Sequence, residues 1–436
     1  MDPEDSKARI DFIKREAIAG ITTFVTMAYI VIVNPAILSS DGTGMSFSGV
    51  MTATVVLAFV STLAMGLYAK LPFAVAPGMG INAVFTYQII LGQKVPWPIA
   101  LGMVFWAGIL FLLISTTSIR EKIAAAIPLT LRNATACGIG LFLTFIGLKN
   151  SGLIVADPVT FVKAGSLSAP ALLSIFGFVI LLWFYRKQNP FAFLISIGVV
   201  TVLAWWLGLV HAPERFFSLP DFSSTFFKLD IMGALQLSLV PAILIFLFID
   251  LFDSLSTFVG VSYATGLVDE EGKPKNLKRG LIVDSLATAG GGLFGTSSGT
   301  AFIESSAGIE AGGRTGLTSV FTALCFLPCL FLAPLVSMVP AFATSSVLIF
   351  VGILMFKCIA QINFSKLENL IPAFLTIVLI PLTFSITHGI MWGFLSHVGC
   401  YCFAGRRKEI HPAMVVIAVF CVILLILENP SLGSRG

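Results

Sequence analysis

"GTSSGTAFIESSAGIEAGGRTG" fills residues 295–316 and carries Glu304 and Glu310 among glycines, serines and threonines, ending in Gly312-Gly313-Arg314. The surrounding chain has 436 residues, of which 57% are hydrophobic and 11% charged. Soluble domains carry about 25% charged residues. Mean hydropathy is +0.98. Runs such as "FGFVILLWFY" (176–185) and "MVVIAVFCVILLIL" (414–427) would not remain in water alone. The chain therefore reads as an all-α polytopic membrane protein. In such a protein, a loose polar segment survives at membrane depth only when it is buried in protein or lines a cavity. Residues 295–316 thus read as a broken spanning element whose irregular half builds a site.

Fifteen apolar stretches of about spanning length can be marked along the sequence. The last three, near 369–386, 388–404 and 411–427, are short. Two of them read as a half-depth pair, which gives about fourteen transmembrane segments. No repeated ten-residue alternation supports a barrel. The start, "MDPEDSKARIDFIKRE", is polar and lacks a cleavage site, so it reads as a cytoplasmic segment and not as a signal peptide. With the N-terminus inside, basic residues collect on the cytoplasmic side at Lys14-Arg15, Arg120 and Lys122, Arg186-Lys187, and Lys273 through Arg279. The outer side holds Lys94, Lys149, Lys163, Arg215 and Lys228. The net charge of +4 is spread over loops and implies no nucleic-acid partner. The seven cysteines have no zinc spacing and read as small packing residues.

Internal similarity follows the same order in both halves. "ITTFVTMAY" (21–29) resembles "LSTFVGVSY" (255–263). "IGLFLT" (139–144) matches "VGILMF" (351–356), each eleven residues after an Ile-Pro or Val-Pro pair. The Gly/Pro-rich "APGMGINAVF" (76–85) answers "TSSGTAFIES" (296–305). Spans 1, 3 and 5 thus match spans 8, 10 and 12. Two halves of seven spans each must be inverted relative to one another, and interrupted spans at equivalent places point to a midplane site.

The embedded polar residues define candidates. A carboxylate at mid-membrane costs about 2.5–3.5 kcal/mol, so Glu304 needs a partner, a proton or a ligand; capping its own half-helix is the structural alternative. In "LIFLFIDLFDSLSTFVGVSY" (244–263), Asp250, Ser254 and Thr257 form one helical stripe at i, i+4 and i+7, with Asp253 on a neighbouring face. A polar seam between helices would also use Ser254 and Thr257. Asn82 follows the "APGMG" break and offers both donor and acceptor. Gly80, Thr300 and Phe302 complete the expected substrate site with Asp250, Glu304, Asn82 and Ser254. Asp250, Glu304 and Asp253 are the expected carriers of a coupled proton, with structural pairing the alternative for Asp253. Phe85 and Phe248 are further stacking candidates. Asp284 and Arg132 are embedded without an assigned chemistry, and Glu310 stands beside Arg314. Metal-protease, nucleophile-elbow and P-loop motifs are missing, so no enzyme, resident metal or cofactor is expected.

"TFVTMAYIVIVNPAIL", "APGMGINAVFTY", "FIDLFDSLSTFVGV", "GTSSGTAFIESSAGIEAGGRTGLTSV" and "IPAFLTIVLIPLTFSI" together resemble the AzgA-like adenine/guanine/hypoxanthine permeases of the nucleobase–cation symporter 2 (nucleobase–ascorbate transporter) superfamily. The resemblance runs from about residue 10 to 427. It implies a 7+7 inverted repeat with short strands in broken segments 3 and 10. It also implies a cytoplasmic segment 1–16, a core built from 17–117 and 236–337, a gate built from 118–235 and 338–427, and a tail 428–436. The substrate would be a purine nucleobase held between the strands and the carboxylates Asp250 and Glu304, with Asn82 in span 3. Coupling to H+ is expected, with Na+ as the alternative. Other implied properties are an elevator-like movement of core against gate, a bacterial cytoplasmic membrane location and a possible homodimer. Another nucleobase, or a small anion, remains the alternative cargo on the same fold. The chain departs from the family pattern at Ser256, where a glycine is common, and at Val84, where an aromatic is common.

Overall fold

The computed structural model describes residues 3–117, 127–270 and 274–428. The basic positions Arg120, Lys122 and Lys273, the boundary expected at 118 and the tail beyond 428 lie outside the described residues. The chain divides into two compact units, Met1–Thr116 with Gly147–Val347, and Thr117–Ile146 with Leu348–Gly436. Seven described helices are long and apolar enough to cross a membrane, by length and composition. The others are shorter or broken.

In the first unit, α1 (Pro3–Met27) leads through a break at Ala28–Tyr29 into α2 (Ile30–Leu38). At the break the N–H groups of Val31 and Ile32 reach back only three residues, to Ala28 and Tyr29. This tightened turn aims Tyr29 into the protein. Helix α3 (Phe47–Ala64) is capped by the Ser46 hydroxyl, which accepts from the Gly49 N–H. It ends in a wide turn, Met65–Ala69, closed by Lys70 in the left-handed region.

The third span is broken, as expected. Strand β1 (Val75–Pro77) is followed by α4 (Met79–Ala83), which widens over Val84–Gly92. Helix α5 (Trp97–Thr116) completes the first four spans. After α6 (Leu129–Asn150) come the strands β2 (Ile154–Asp157) and β3 (Phe161–Ala164), then α7 (Ala169–Arg186) and α8 (Ala192–Trp206). In the β2–β3 hairpin, the Thr160 N–H, Lys163 and the Val159 N–H hold the Asp157 carboxyl down at about 2. Helices α7 and α8 pack within the first unit, where the Ser196 hydroxyl donates to the Gly177 carbonyl at 2.8 Å.

Helix α9 (Val240–Thr265) ends at Gly266, whose positive φ closes the last turn. Helix α10 (Leu277–Phe294) lies against α5 through small residues. A Cβ added at Gly108 would stand 2.3 Å from the Ala289 nitrogen, and one at Gly292 would stand 2.6 Å from the Leu101 oxygen. Close backbone approach of this kind replaces the hydrophobic driving force that lipid cannot supply.

Span 10 is strand β4 (Gly299–Ala301) followed by the short helix α11 (Ser305–Glu310). Strand β4 pairs antiparallel with β1, with Val75 opposite Ala301, Ala76 opposite Thr300 and Pro77 opposite Gly299. The two strands centre on Ala76 and Thr300. The equivalence is therefore four residues beyond the match of 76–85 to 296–305, and it sets Gly80 against Glu304. The main-chain groups beside the strands find partners in side chains. Thr62 donates to the Val75 carbonyl and accepts its N–H, at 3.0 and 2.9 Å, and Ser305 accepts from the Ala74 N–H at 3.0 Å. Backbone at this depth has no water to turn to.

Helices α12 (Gly316–Phe326) and α13 (Ala333–Ser337) follow, then α14 (Ala341–Phe356). The start of α12 rests on Glu16 of α1, a fully buried carboxylate that accepts from the N–H groups of Arg314, Thr315 and Thr318 and from the Thr318 hydroxyl. An anion at a helix N-terminus satisfies the free N–H groups and the dipole together.

The second unit contains most of α6, the later part of α14, and α15 (Leu367–Thr383), α16 (Ile386–Phe403) and α17 (Pro412–Glu428). The three final helices match the stretches marked in the sequence. Gly140 and Gly352, equivalent in the repeat, meet each other: a Cβ on either would stand within 2.6 Å of the other's carbonyl oxygen. This reciprocal contact between equivalent positions is what an inverted repeat produces across its pseudo-two-fold. The fold class is thus the expected one, an all-α polytopic membrane protein of about fourteen segments in two inverted halves of seven, with short strands in segments 3 and 10.

Candidate functional site

The crossing of β1 and β4 carries most of the polar residues singled out in the sequence, all within the first unit. Asp250 on α9 is fully buried. One of its oxygens accepts from the Ser298 hydroxyl at 2.9 Å and from the Thr288 hydroxyl, and the other has no hydrogen-bond partner. One turn along α9, Ser254 donates to Asp284 of α10 and lies 2.9 Å from the Thr300 hydroxyl. Asp284 also keeps one unpartnered oxygen. The Thr300 hydroxyl lies 3.5 Å from Asp253. A continuous series of polar groups thus runs Asp284, Ser254, Thr300, Asp253. The Thr288 hydroxyl, which donates to Asp250, also lies 3.0 Å from the Gly299 carbonyl of the strand.

Glu304 sits where α11 begins. Its carboxylate accepts from the Tyr29 hydroxyl at 2.6 Å, and the Tyr29 ring packs against Phe193 of α8 with centroids 4.7 Å apart. Glu304 and Asp253 are only half-buried, whereas Asp250 and Asp284 are sealed off. Asn82 accepts from the Ser297 hydroxyl through its oxygen, and its amide nitrogen is left without a partner, as is the nearby Thr86 hydroxyl. Among the described residues, no cation pairs with any of the four carboxylates. Buried polar groups are normally satisfied, so the open donors and acceptors of this cluster mark it as the candidate site.

The other expected residues have definite places. Gly80 lies in the first turn of α4, partly accessible. Phe302 and Phe85 are buried, and the Phe302 N–H extends the strand pairing by bonding to the Ala74 carbonyl at 2.9 Å. Phe248 stacks on Phe252 along α9, with centroids 6.3 Å apart. Glu310 is exposed, and the Arg314 guanidinium donates to the Thr265 carbonyl at 2.8 Å. Ser256 is exposed on α9, so its departure from the family glycine crowds nothing inside, while Val84 is buried behind Asn82. Tyr29, Thr288, Ser297 and Ser298 were not anticipated. Asp284 and Thr288 stand at i and i+4, the same spacing that marked Asp250 and Ser254, and could have been found by it. Tyr29 carried no such signal.

Two broken spans, hydrogen-bonded where they cross and surrounded by open polar groups inside an inverted repeat, define a membrane transport protein. The family model described as "Permease family" matches residues 14–392, and the chain belongs to that family. Adenine permease AdeP of Escherichia coli strain K12 is 41% identical over 414 residues, covering 95% of this chain and 93% of that protein. Guanine/hypoxanthine permease PbuO of Bacillus subtilis strain 168 is 39% identical over 422 residues, covering 95% and 97%. The resemblance drawn from the motifs is borne out by these relatives, which are named as permeases and not as enzymes. Among solved structures, the transmembrane domain of a cyanobacterium bicarbonate transporter BicA superposes with a TM-score of 0.65 over 87% of this chain and 97% of that chain, at 18% identity. That similarity is one of fold.

Proposed function

We propose that this permease carries purine nucleobases, coupled to protons, with Glu304, Asp253 and Asn82 as the groups that meet the purine. The observation that supports this most directly is the pair of half-buried carboxylates, Glu304 and Asp253, with no cation bound to either among the described residues, near the unpartnered Asn82 amide nitrogen. A purine presents ring N–H donors beside acceptor nitrogens or carbonyls, and these match carboxylate oxygens and an amide N–H. An unmatched buried partner costs about 1–3 kcal/mol, which gives selectivity against the wrong base. The naming of relatives as adenine and guanine/hypoxanthine permeases supports the same substrate class.

Asp250, together with Ser254 and Thr300, lies behind the accessible carboxylates. In this reading the proton resides within the acidic cluster during transport, and Na+ is the weaker alternative. The core moves against the gate as an elevator. The N-terminus faces the cytoplasm of a bacterial cell, and two copies associate.

The test is uptake of labelled adenine, hypoxanthine, guanine and uracil at two external pH values, in cells lacking their own permeases. Wild type, Asp250→Asn and Glu304→Gln are compared. Purine uptake that rises at lower pH and collapses in Glu304→Gln supports site and coupling together. Uptake indifferent to pH, with no proton entry, removes proton symport. Full purine uptake in both variants removes the site.

A further inference from the structure

The segment between α8 and α9, residues 207–239, contains no strand and only two 3₁₀ turns, Gly233–Leu235 and Leu237–Leu239. Several of its main-chain N–H groups and one carboxylate nevertheless bond inward, to the helices around it. The Ser218 N–H bonds to the Phe331 carbonyl just beyond α12, the Phe227 N–H to the Leu293 carbonyl in the last turn of α10, and the Asp230 N–H to the Pro98 carbonyl at the start of α5. The Trp106 indole returns a bond to the Ile231 carbonyl at 3.1 Å. Asp221 accepts from the hydroxyls of Ser224 and of Ser48 at the start of α3. The segment is thus fastened along the rim formed by several helix ends.

Its large apolar side chains point the other way. Leu219 is 84% exposed and Phe217 68%, with Phe222, Phe227 and Leu237 also exposed. A loop facing water normally shows the reverse arrangement, and contiguous exposed apolar surface marks a contact. The patch continues directly from Trp205 and Trp206 at the end of α8, themselves exposed on a spanning helix. Arg215 and Lys228 are exposed beside the phenylalanines, next to Glu214. The other two acids turn back into the loop, Asp230 accepting from the Gly233 N–H and Asp221 from its serines. Aromatic rings flanked by outward cations, at the level where helices end, match the headgroup layer of a bilayer.

We infer that residues 207–239 form an interfacial collar, which lays Phe217, Leu219, Phe222 and Phe227 into the lipid headgroup region and anchors the rim of the first unit to the membrane surface. The occupant of this apolar face is lipid, because the face is continuous with the exposed tryptophans that end the apolar helix α8.

The test uses full-length protein in vesicles of phosphatidylethanolamine and phosphatidylglycerol. Phe217→Cys, Leu219→Cys and a control, Asp41→Cys at an exposed position in the polar turn 40–42, are labelled with a nitrobenzoxadiazole fluorophore. Wild type labelled in parallel gives the background of the seven native cysteines. The expected result at Phe217→Cys and Leu219→Cys is blue-shifted emission, quenched at least twofold more by lipids carrying a shallow nitroxide than by aqueous iodide, with the opposite preference at Asp41→Cys. Iodide quenching at both collar positions equal to that of the control overturns the inference. Shielding that disappears when the protein is diluted in lipid also overturns it, because the covering surface is then a second copy of the chain.

Discussion

At the scale of single residues, the site is an acidic cluster organised by hydroxyl groups. Tyr29 fixes Glu304 through one hydrogen bond and is itself steadied by Phe193. A hydrogen bond to a charged group contributes about 1.5–3 kcal/mol. Tyr29→Phe keeps the ring and removes the hydroxyl. Apparent KM for the purine is expected to rise about tenfold with Vmax largely kept. Radiolabelled uptake kinetics check this, and a fall in Vmax at unchanged KM would assign Tyr29 to the conformational step instead. A second prediction lies in the collar. Partial burial pushes the Asp221 carboxyl up, but the hydroxyls of Ser224, Ser48 and Ser223 and the Ser224 N–H outweigh it and hold the group well below the usual carboxylate range. A carboxyl lowered on folding stabilises the protein above its unfolded value of about 3.9, and that contribution disappears as pH falls through the folded value. Asp221→Asn is therefore expected to lower Tm at pH 7, and the gap to wild type should narrow once the pH drops below about 4. Thermal unfolding in detergent across that range measures it. Asp250 and Glu304 were legible in the sequence because a carboxylate in an apolar run needs a reason. Tyr29 and Ser298 were not, since lone hydroxyls are common inside membrane helices and gain meaning only from what lies across from them.

At the scale of elements, the two broken spans are held by three-residue strands and a few side-chain bonds. Three residues have no detectable alternation, so the strands could be expected only from the Gly/Pro interruption and the resemblance, and their register from neither. The repeat match missed by four positions because Gly/Ser-rich segments align with one another at several offsets. Thr62→Val removes both bonds to Val75. It is expected to cost about 1–3 kcal/mol and to reduce uptake without any change in α9. A wild-type Tm in this variant would show that β1 needs no support from α3. Gly316→Ala presents a harder case. Its Cβ would stand 2.0 Å from the Gly66 carbonyl oxygen, backbone against backbone. Overpacking of this kind costs about 1–3 kcal/mol or more. Yield and Tm of the purified variant should both fall.

At the scale of the whole molecule, composition alone defined the membrane class, and the order of matched segments defined the inverted halves. The meeting of Gly140 with Gly352 was implicit in that match, since equivalent residues near a two-fold must approach each other. The proposed N-terminal orientation predicts that a cysteine placed at Lys163, on the β2–β3 hairpin, reacts with an impermeant maleimide added to intact cells, while one at Lys187 reacts only after permeabilisation. The opposite pattern would reverse the topology. The strand pairing also has a consequence for biosynthesis. The Ala74 N–H finds its partner, Ser305, 231 residues further along the chain. At roughly 5–20 residues per second, the ribosome needs about ten to fifty seconds to supply it. During that interval the first broken span has left the ribosome with main-chain groups that neither lipid nor its own helix can satisfy. The pairing of β1 with β4 therefore waits until the inverted counterpart of the first half has been made, and the candidate site is among the last parts of the protein to exist.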